Sequence, residues 1–539
     1  MHKNQKQNPK WYHEKKEESE DCIMGIYICM AVSKAVTQAE WENAYRETVT
    51  LVEKLPLAEL QTLEIHGNYI PCVVSSKERE LVVGGVKTKG WRASGDLDTL
   101  GIAETYTLHE NFGIDSVNPE AGDAILGVVP NQIKEDTDDP KFHQAYHLWG
   151  NKTQGEYYHI YLLAIAALLE ARLKEKVFVY GDVTKGQYKA AVEIANQHLE
   201  EPIDLPDSCD IEHFCERVCK LPLSDAEKID VIEEFYLGPK DNTYGECLQK
   251  HFKNELRNYW TEIFAQCELG TSGFQRQFQK YINWGFELEE LFHLIDVRDK
   301  SNGEVCEKLI GTILDSGLCM PEKDLRDPLT INPEAEQLYG VSTLFVQGIF
   351  GAARNKKVSK YMTLEEVQGI LERNFKNEID VAAYMEAHLK KEKSSDISEE
   401  FSDFFYREKE KLEKEHEEYD IADTEDLLYY QKGNSVLPSL QKSLEKSMDF
   451  LESILEEEMY QDLLQKDVDT QFDWLVMQKR HYCIQKEEWE RIYEKLTNPD
   501  GLARYYALFR IQLGKESIRN MATALLVNDE LWDFCKEKQ

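Results

Sequence analysis

Only two prolines, Pro438 and Pro499, occur between residues 334 and 539 of this 539-residue chain. Proline cannot donate a backbone hydrogen bond and disrupts a helix interior, so a stretch this free of it favours long helices. Glycine and proline together make about 8% of the whole chain, against roughly 12% in average usage, so turns are sparse throughout. Helix-entry pairs recur in this half, Thr363 with Glu366 and Asp396 with Glu399. Leu437, Leu440, Leu444, Met448, Leu451 and Leu455 fall on one helical face opposite lysines and glutamates. Packing inside a helical bundle is the expected role of that stripe, and docking of a partner helix the alternative.

The N-terminal half reads differently. After a polar, mixed-charge tail over residues 1–23, Gly25 to Val32 is β-branched and apolar enough for a buried strand. Thr37 and Glu40 then form a capping box ahead of Trp41, Tyr45, Val49 and Val52 at helical spacing. Leu60 to Val74 and Glu80 to Val86 read as strands, with His66-Gly67-Asn68 offering a turn. Residues 156–205 carry a helix-strand-helix pattern: an apolar helix to Leu173, the strand Val177 to Tyr180, and a helix from Lys185 to Leu199. The fold class expected is α+β, with a mixed α/β N-terminal half and a predominantly helical C-terminal half. Its divisions are 24–135 with a mixed sheet, 136–240 as the helix-strand-helix unit, 241–392 helical and 398–539 a helical bundle.

Charge narrows the partners. Sixty-three basic residues against 100 acidic give a formal charge of -37, while 42% hydrophobic content is too apolar for a disordered chain. Nucleic-acid affinity comes from cations that displace phosphate counterions, so direct nucleic-acid binding is disfavoured, as is an anionic membrane surface. A basic protein partner is favoured. The apolar stretches Ile23 to Val32 and Ile160 to Leu169 are too short to span a bilayer, and the first follows acids where a signal peptide carries positive charge. A cytoplasmic location is expected, with the irregularly spaced cysteines as reduced thiols.

One segment has the form of a catalytic motif. Leu81-Val82-Val83-Gly84-Gly85 is followed by Asp96-Leu97-Asp98, which resembles the signature of the nucleotidyltransferase superfamily over about fifteen residues. The resemblance implies Gly84 and Gly85 as a phosphate-binding turn and Asp96 and Asp98 as ligands of magnesium carrying a nucleoside triphosphate. That family's second turn position is commonly serine, where this chain has Gly85. It also needs a third carboxylate, for which Asp115, Asp123 and Asp182 compete. Asp182 follows a strand, where ligands of α/β sheets gather, and equally fits a turn or cap. The plainer reading makes Gly84-Gly85 and Ser94-Gly95-Asp96 two loops of a β-meander with solvated carboxylates.

Two further clusters contain metal-ligand types. His143 and His147 are four apart, and Glu156 and His159 three apart, so on helices each pair would share a face, as in a metal-dependent hydrolase. Cys209, Cys215 and Cys219 with His213 form a dense thiol group, but the spacing departs from paired zinc knuckles and buried small hydrophobes are expected. With no complete catalytic set, the leading expectation is a non-enzymatic interaction protein. Its partner would be a basic or nucleic-acid-acting protein, as for toxin-neutralising immunity proteins, with no cofactor.

Overall fold

The structure, a computed structural model, describes residues 26–83, 85–111, 117–129, 139–295, 303–319, 358, 360–375, 378–392, 414, 418–478, 482–511 and 516–538. The 1–23 tail, Asp396 and Glu399, and the boundary placed between 392 and 398 lie outside the described residues.

The first half alternates strands with a few helices: β1 (Tyr27–Ser33), α1 (Gln38–Lys54), β2 (Leu57–Ile65), β3 (Asn68–Ser75), β4 (Arg79–Val83), β5 (Val86–Asp96), β6 (Ile102–His109), β7 (Ala145–Lys152), α2 (Tyr158–Leu173), β8 (Val177–Gly181) and α3 (Lys185–Asn196). Thr37 caps α1 as its sequence predicts: its side chain accepts from Glu40 N while the Glu40 carboxylate accepts from Thr37 N. His66 and Gly67 close the β2–β3 hairpin with φ of 46° and 75°, the left-handed pair that a two-residue type I′ turn needs. Helix α2 is apolar on all sides because it is buried on all sides.

Two antiparallel sheets result. In one, β1 lies between β7 and β8; in the other the order is β3-β2-β5-β4, with β6 also paired to β5. The pairing within both is antiparallel, so the mixed sheet expected for 24–135 is corrected. The division at residue 135 passes through a sheet, since β1 takes both its partners from beyond it. A buried strand has two edges to satisfy, and nothing in β1 itself says how far along the chain its partners stand. Trp149 Nε1 donates to Thr107 O at 3.0 Å and Asn151 Nδ2 to Thr105 O at 2.7 Å, tying β7 to β6 and so one sheet to the other.

The rest is helical: α4 (Ile211–Cys219), α5 (Asp225–Phe235), α6 (Asn242–Gln266), α7 (Ser272–Asn283), α8 (Leu288–Leu294), α9 (Gly303–Asp315), α10 (Leu364–Phe375), α11 (Val381–Glu392), α12 (Pro438–Ile454), α13 (Glu458–Leu463), α14 (Val468–Gln478), α15 (Lys486–Lys495), α16 (Pro499–Arg510), α17 (Glu516–Val527) and α18 (Asp529–Lys538). Three cores organise these elements. One joins β1, α1, β7, α2, β8 and α3. A second runs from Ala124 through α4 to α11, so the division at 240 cuts a continuous core. The third joins Ile65, Ile70 and Cys72 of the β2–β3 hairpin to the C-terminal helices. Leu440, Leu444, Met448 and Leu451 are buried in that third core, so the apolar stripe of α12 packs within the chain. No helix among the described residues is long and apolar enough to cross a membrane.

Candidate functional site

The Asp96-Leu97-Asp98 segment forms the turn after β5. Gly95 pairs with Ala58 on one side and Ile102 on the other. A Cβ on Gly95 would stand 2.0 Å from Gly101 O. The turn closes at Leu100, whose φ is 57°. Asp96 is fully buried, and its Oδ1 accepts from Thr99 N at 2.6 Å and from Thr99 Oγ1 at 3.0 Å. Burial pushes its carboxyl up to about 6, the Thr99 hydrogen bonds oppose that rise, and the charge of Asp98 adds to it. Asp98 Oδ2 accepts from Tyr161 OH at 2.9 Å, and its carbonyl accepts from Tyr429 OH.

Glu156 reaches the same end of β5: a Cβ on Gly101 would lie 2.2 Å from Glu156 Oε2, and Arg519 Nη2 donates to Glu156 Oε1 at 2.8 Å. Gly85, with φ of 85°, turns the β4–β5 hairpin at the opposite end of β5, and Gly84 lies outside the described residues. Ten residues of extended strand separate that turn from Asp96, roughly 30 Å, so the diglycine and the carboxylates do not border one phosphate-sized site. Asp96 is a turn-holding carboxylate, not a solvated one.

The third-carboxylate candidates disperse. Asp182 Oδ2 accepts from Tyr27 N at 3.0 Å and finishes the edge of β1; its sheet is antiparallel, so the crevice of a parallel sheet does not form beside it. Asp123 pairs with Arg217 at 2.7 Å. Asp115 lies outside the described residues. With both Asp96 oxygens engaged by Thr99, these residues do not fit a two-magnesium phosphoryl-transfer centre.

The histidines also part. His143 ends a short 3-10 turn and His147 lies in β7, so the helical spacing that would put them on one face does not apply. His147 Nδ1 meets Tyr180 OH at 3.2 Å. His159 opens α2, is 3% exposed, and shares a 2.8 Å hydrogen bond between Nδ1 and Thr153 Oγ1; burial drives its pKa down to about 4. Glu156 is engaged by Arg519. Cys209 is buried in the first core while His213 is exposed beside Asp210, so these two leave the thiol group that Cys215 and Cys219 occupy. Among the described residues, Glu212, Cys247 and His251 are the His, Cys, Asp and Glu group whose ligand atoms lie within 4.8 Å of one another.

A different feature is open to solvent. Between α13 and α14 lies a groove of about 410 Å³ lined by Met459, Leu463, Trp474 and Met477, with Asp462, Lys466 and Asp473 among its polar walls. Met459 is 48% and Met477 72% exposed. Trp474 is fixed from behind by stacking on Tyr506, with ring centroids 4.7 Å apart and planes at 16°. Phe472, Leu475 and Val476 form the buried face of α14, so Met477 stands off the core side of its helix. That misplaced apolar residue is the signal that sequence reasoning missed. The surrounding surface is acidic: residues 442–473 contain ten acids and three bases, and Glu456, Glu458, Asp462, Asp467, Asp469 and Asp473 are exposed.

The Gly95 geometry gives a stability prediction. Gly95→Ala is expected to lower folding stability by about 1–3 kcal/mol, because the added methyl meets the Gly101 carbonyl just ahead of the facing strand. Urea unfolding checks this, and an unchanged midpoint contradicts it.

Comparison with known proteins returns no match to this chain among family models, curated proteins or solved structures.

Proposed function

We propose that this chain is a non-enzymatic interaction protein that captures a basic protein partner, with the α13–α14 groove as the docking site. In this reading a cationic amphipathic segment lays its apolar face over Met459, Trp474 and Met477 and its lysines or arginines against Asp462, Asp469 and Asp473. The observation that carries it is the pair of exposed methionines flanking a fixed tryptophan inside a carboxylate rim. Methionine is adaptable and polarisable, which suits repacking around a helix face, and a fixed aromatic supplies an anchor at low entropic cost. The charge of -37 adds long-range attraction, which speeds encounter with a cation. A toxin or nucleic-acid-acting enzyme is a natural class of such partner, since its own substrate selects a basic surface, and the chain would then serve as its cytoplasmic inhibitor.

A labelled designed helix with one leucine face and one lysine face serves as the probe, followed by fluorescence anisotropy. Met477→Glu is expected to weaken binding at least about tenfold, as for a central contact. Val82→Glu, at an exposed valine in β4, is expected to leave it unchanged. Equal effects of the two substitutions would remove the groove as the docking site.

A further inference from the structure

Helices α4 and α6 pack together with a cluster of metal-ligand side chains between them. On α4, Glu212 and Cys215 are three residues apart and Cys219 four further on, so all three share a face. On α6, Cys247 and His251 are four apart and face them. The ligand atoms of Glu212, Cys247 and His251 lie within 4.8 Å of one another. Cys215 and Cys247 are both buried in the second core, and Cys247 Sγ donates to Ile211 O at 3.7 Å. Cys219 Sγ lies 3.6 Å from His251 Nδ1, and the other ring nitrogen, Nε2, is buried without a hydrogen-bond partner among the described residues. Glu212 Oε2 accepts from Lys250 Nζ at 2.7 Å.

We propose that these side chains form a zinc site, with Cys215, Cys247, Glu212 and His251 Nε2 as the four ligands. Two thiolates, one imidazole and one carboxylate suit a borderline-soft ion without geometric preference, and four protein donors close the coordination sphere. Donor atoms around tetrahedral zinc stand roughly 3.5–3.8 Å apart, so Glu212, Cys247 and His251, within 4.8 Å of one another, need only draw slightly closer, while Cys215, outside that group, has to turn its thiol toward them from the next turn of α4. Cys219 then holds the imidazole through Nδ1, the orienting role that a hydrogen-bonded neighbour plays at metal-bound histidines. Lys250 offsets the negative charge left by two thiolates and a carboxylate around a divalent ion. Binding releases the two thiol protons to solvent. A closed sphere activates no water, so the ion is a staple between α4 and α6 at the edge of the second core.

The test uses the full chain, purified reduced and loaded with zinc, then dialysed and analysed for metal. One zinc per chain is expected. Titrating the unmodified apo chain with cobalt(II) is expected to give a thiolate-to-cobalt charge-transfer band and tetrahedral visible bands, a readout that needs no variant to fold. Cys247→Ser and His251→Gln are expected to abolish stoichiometric metal, and Cys209→Ser, at a buried cysteine outside the cluster, to keep it. Cys219→Ser is expected to keep the stoichiometry while weakening affinity by about 10–100-fold. Failure of the unmodified chain to take up zinc, absence of the cobalt charge-transfer band, or unchanged binding in His251→Gln would overturn the site.

Discussion

Replacing Arg217 by leucine is expected to lower folding stability by about 3–5 kcal/mol, the cost of leaving the buried Asp123 carboxylate without its cation. Arg217 is 4% exposed on α4. Its Nε and Nη2 hold Asp123 at 2.7 and 2.9 Å in a bidentate pair, while Nη1 stands 3.6 Å from Asp207 and 3.8 Å from Glu170. One guanidinium therefore joins α2, α4 and the turns around Asp123 and Asp207. Its loss strands Asp123, which is 9% exposed at its side chain. Adding Asp123→Asn to Arg217→Leu is expected to recover part of the loss, and urea unfolding of the four-member cycle measures it.

The same cluster sets a pH dependence. Glu170 is buried, and that burial pushes its carboxyl up to about 8, against the attraction of Arg217 and the hydrogen bond from Tyr188. The folded state thus keeps a proton that the unfolded chain releases near 4.5. Its stabilising contribution is complete below 4.5 and is lost as pH rises through about 8. Glu170→Gln, neutral at every pH, is expected to flatten that fall. A wild-type stability that rises between pH 6 and 8 and is unaffected by the substitution contradicts the assignment.

Trp260→Ala is expected to cost about 3–5 kcal/mol, the usual penalty for emptying a large buried aromatic site. Trp260 is 1% exposed. Its ring meets Trp284 at 4.8 Å, Tyr281 at 5.2 Å, Tyr259 at 5.5 Å, Phe264 at 5.6 Å and Phe286 at 5.8 Å, so five other aromatic residues lose their common neighbour. Trp260 Nε1 has no hydrogen-bond partner among the described residues, so Trp260→Phe forfeits packing alone and is expected to cost well under half as much. Equal costs for the two substitutions would show that the cavity does not govern the loss.

Local chemistry was legible in the sequence wherever neighbours along the chain decide it. The Thr37–Glu40 and Thr363–Glu366 boxes cap their helices, His66-Gly67 turns its hairpin, and the helix-strand-helix run over 156–205 is observed as α2, β8 and α3. What failed depends on residues distant in the chain. β1 draws partners from 145–152 and 177–181, which no period within β1 encodes. His147 sits four residues from His143, yet β1 recruits its segment as a strand and removes the shared face. Cys215 shares a core with Cys247 of another helix, while the nearby Cys209 belongs to a different core. Asp96 and Asp98 carry the spacing of metal ligands, but Thr99 and Tyr161 supply the hydrogen bonds that make them part of a turn. Chain spacing specifies a shared face only after the local element is settled, and the tertiary partner settles it.

The salt dependence of binding tests the central claim most directly. Dissociation constants for the leucine-lysine helix and for an otherwise identical leucine-glutamate helix are measured across a range of sodium chloride concentrations. A carboxylate surface built for recognition predicts binding of the lysine form only, with affinity and association rate falling steeply as salt rises. Equal binding of both forms, or an affinity for the lysine form that salt leaves unchanged, would contradict it.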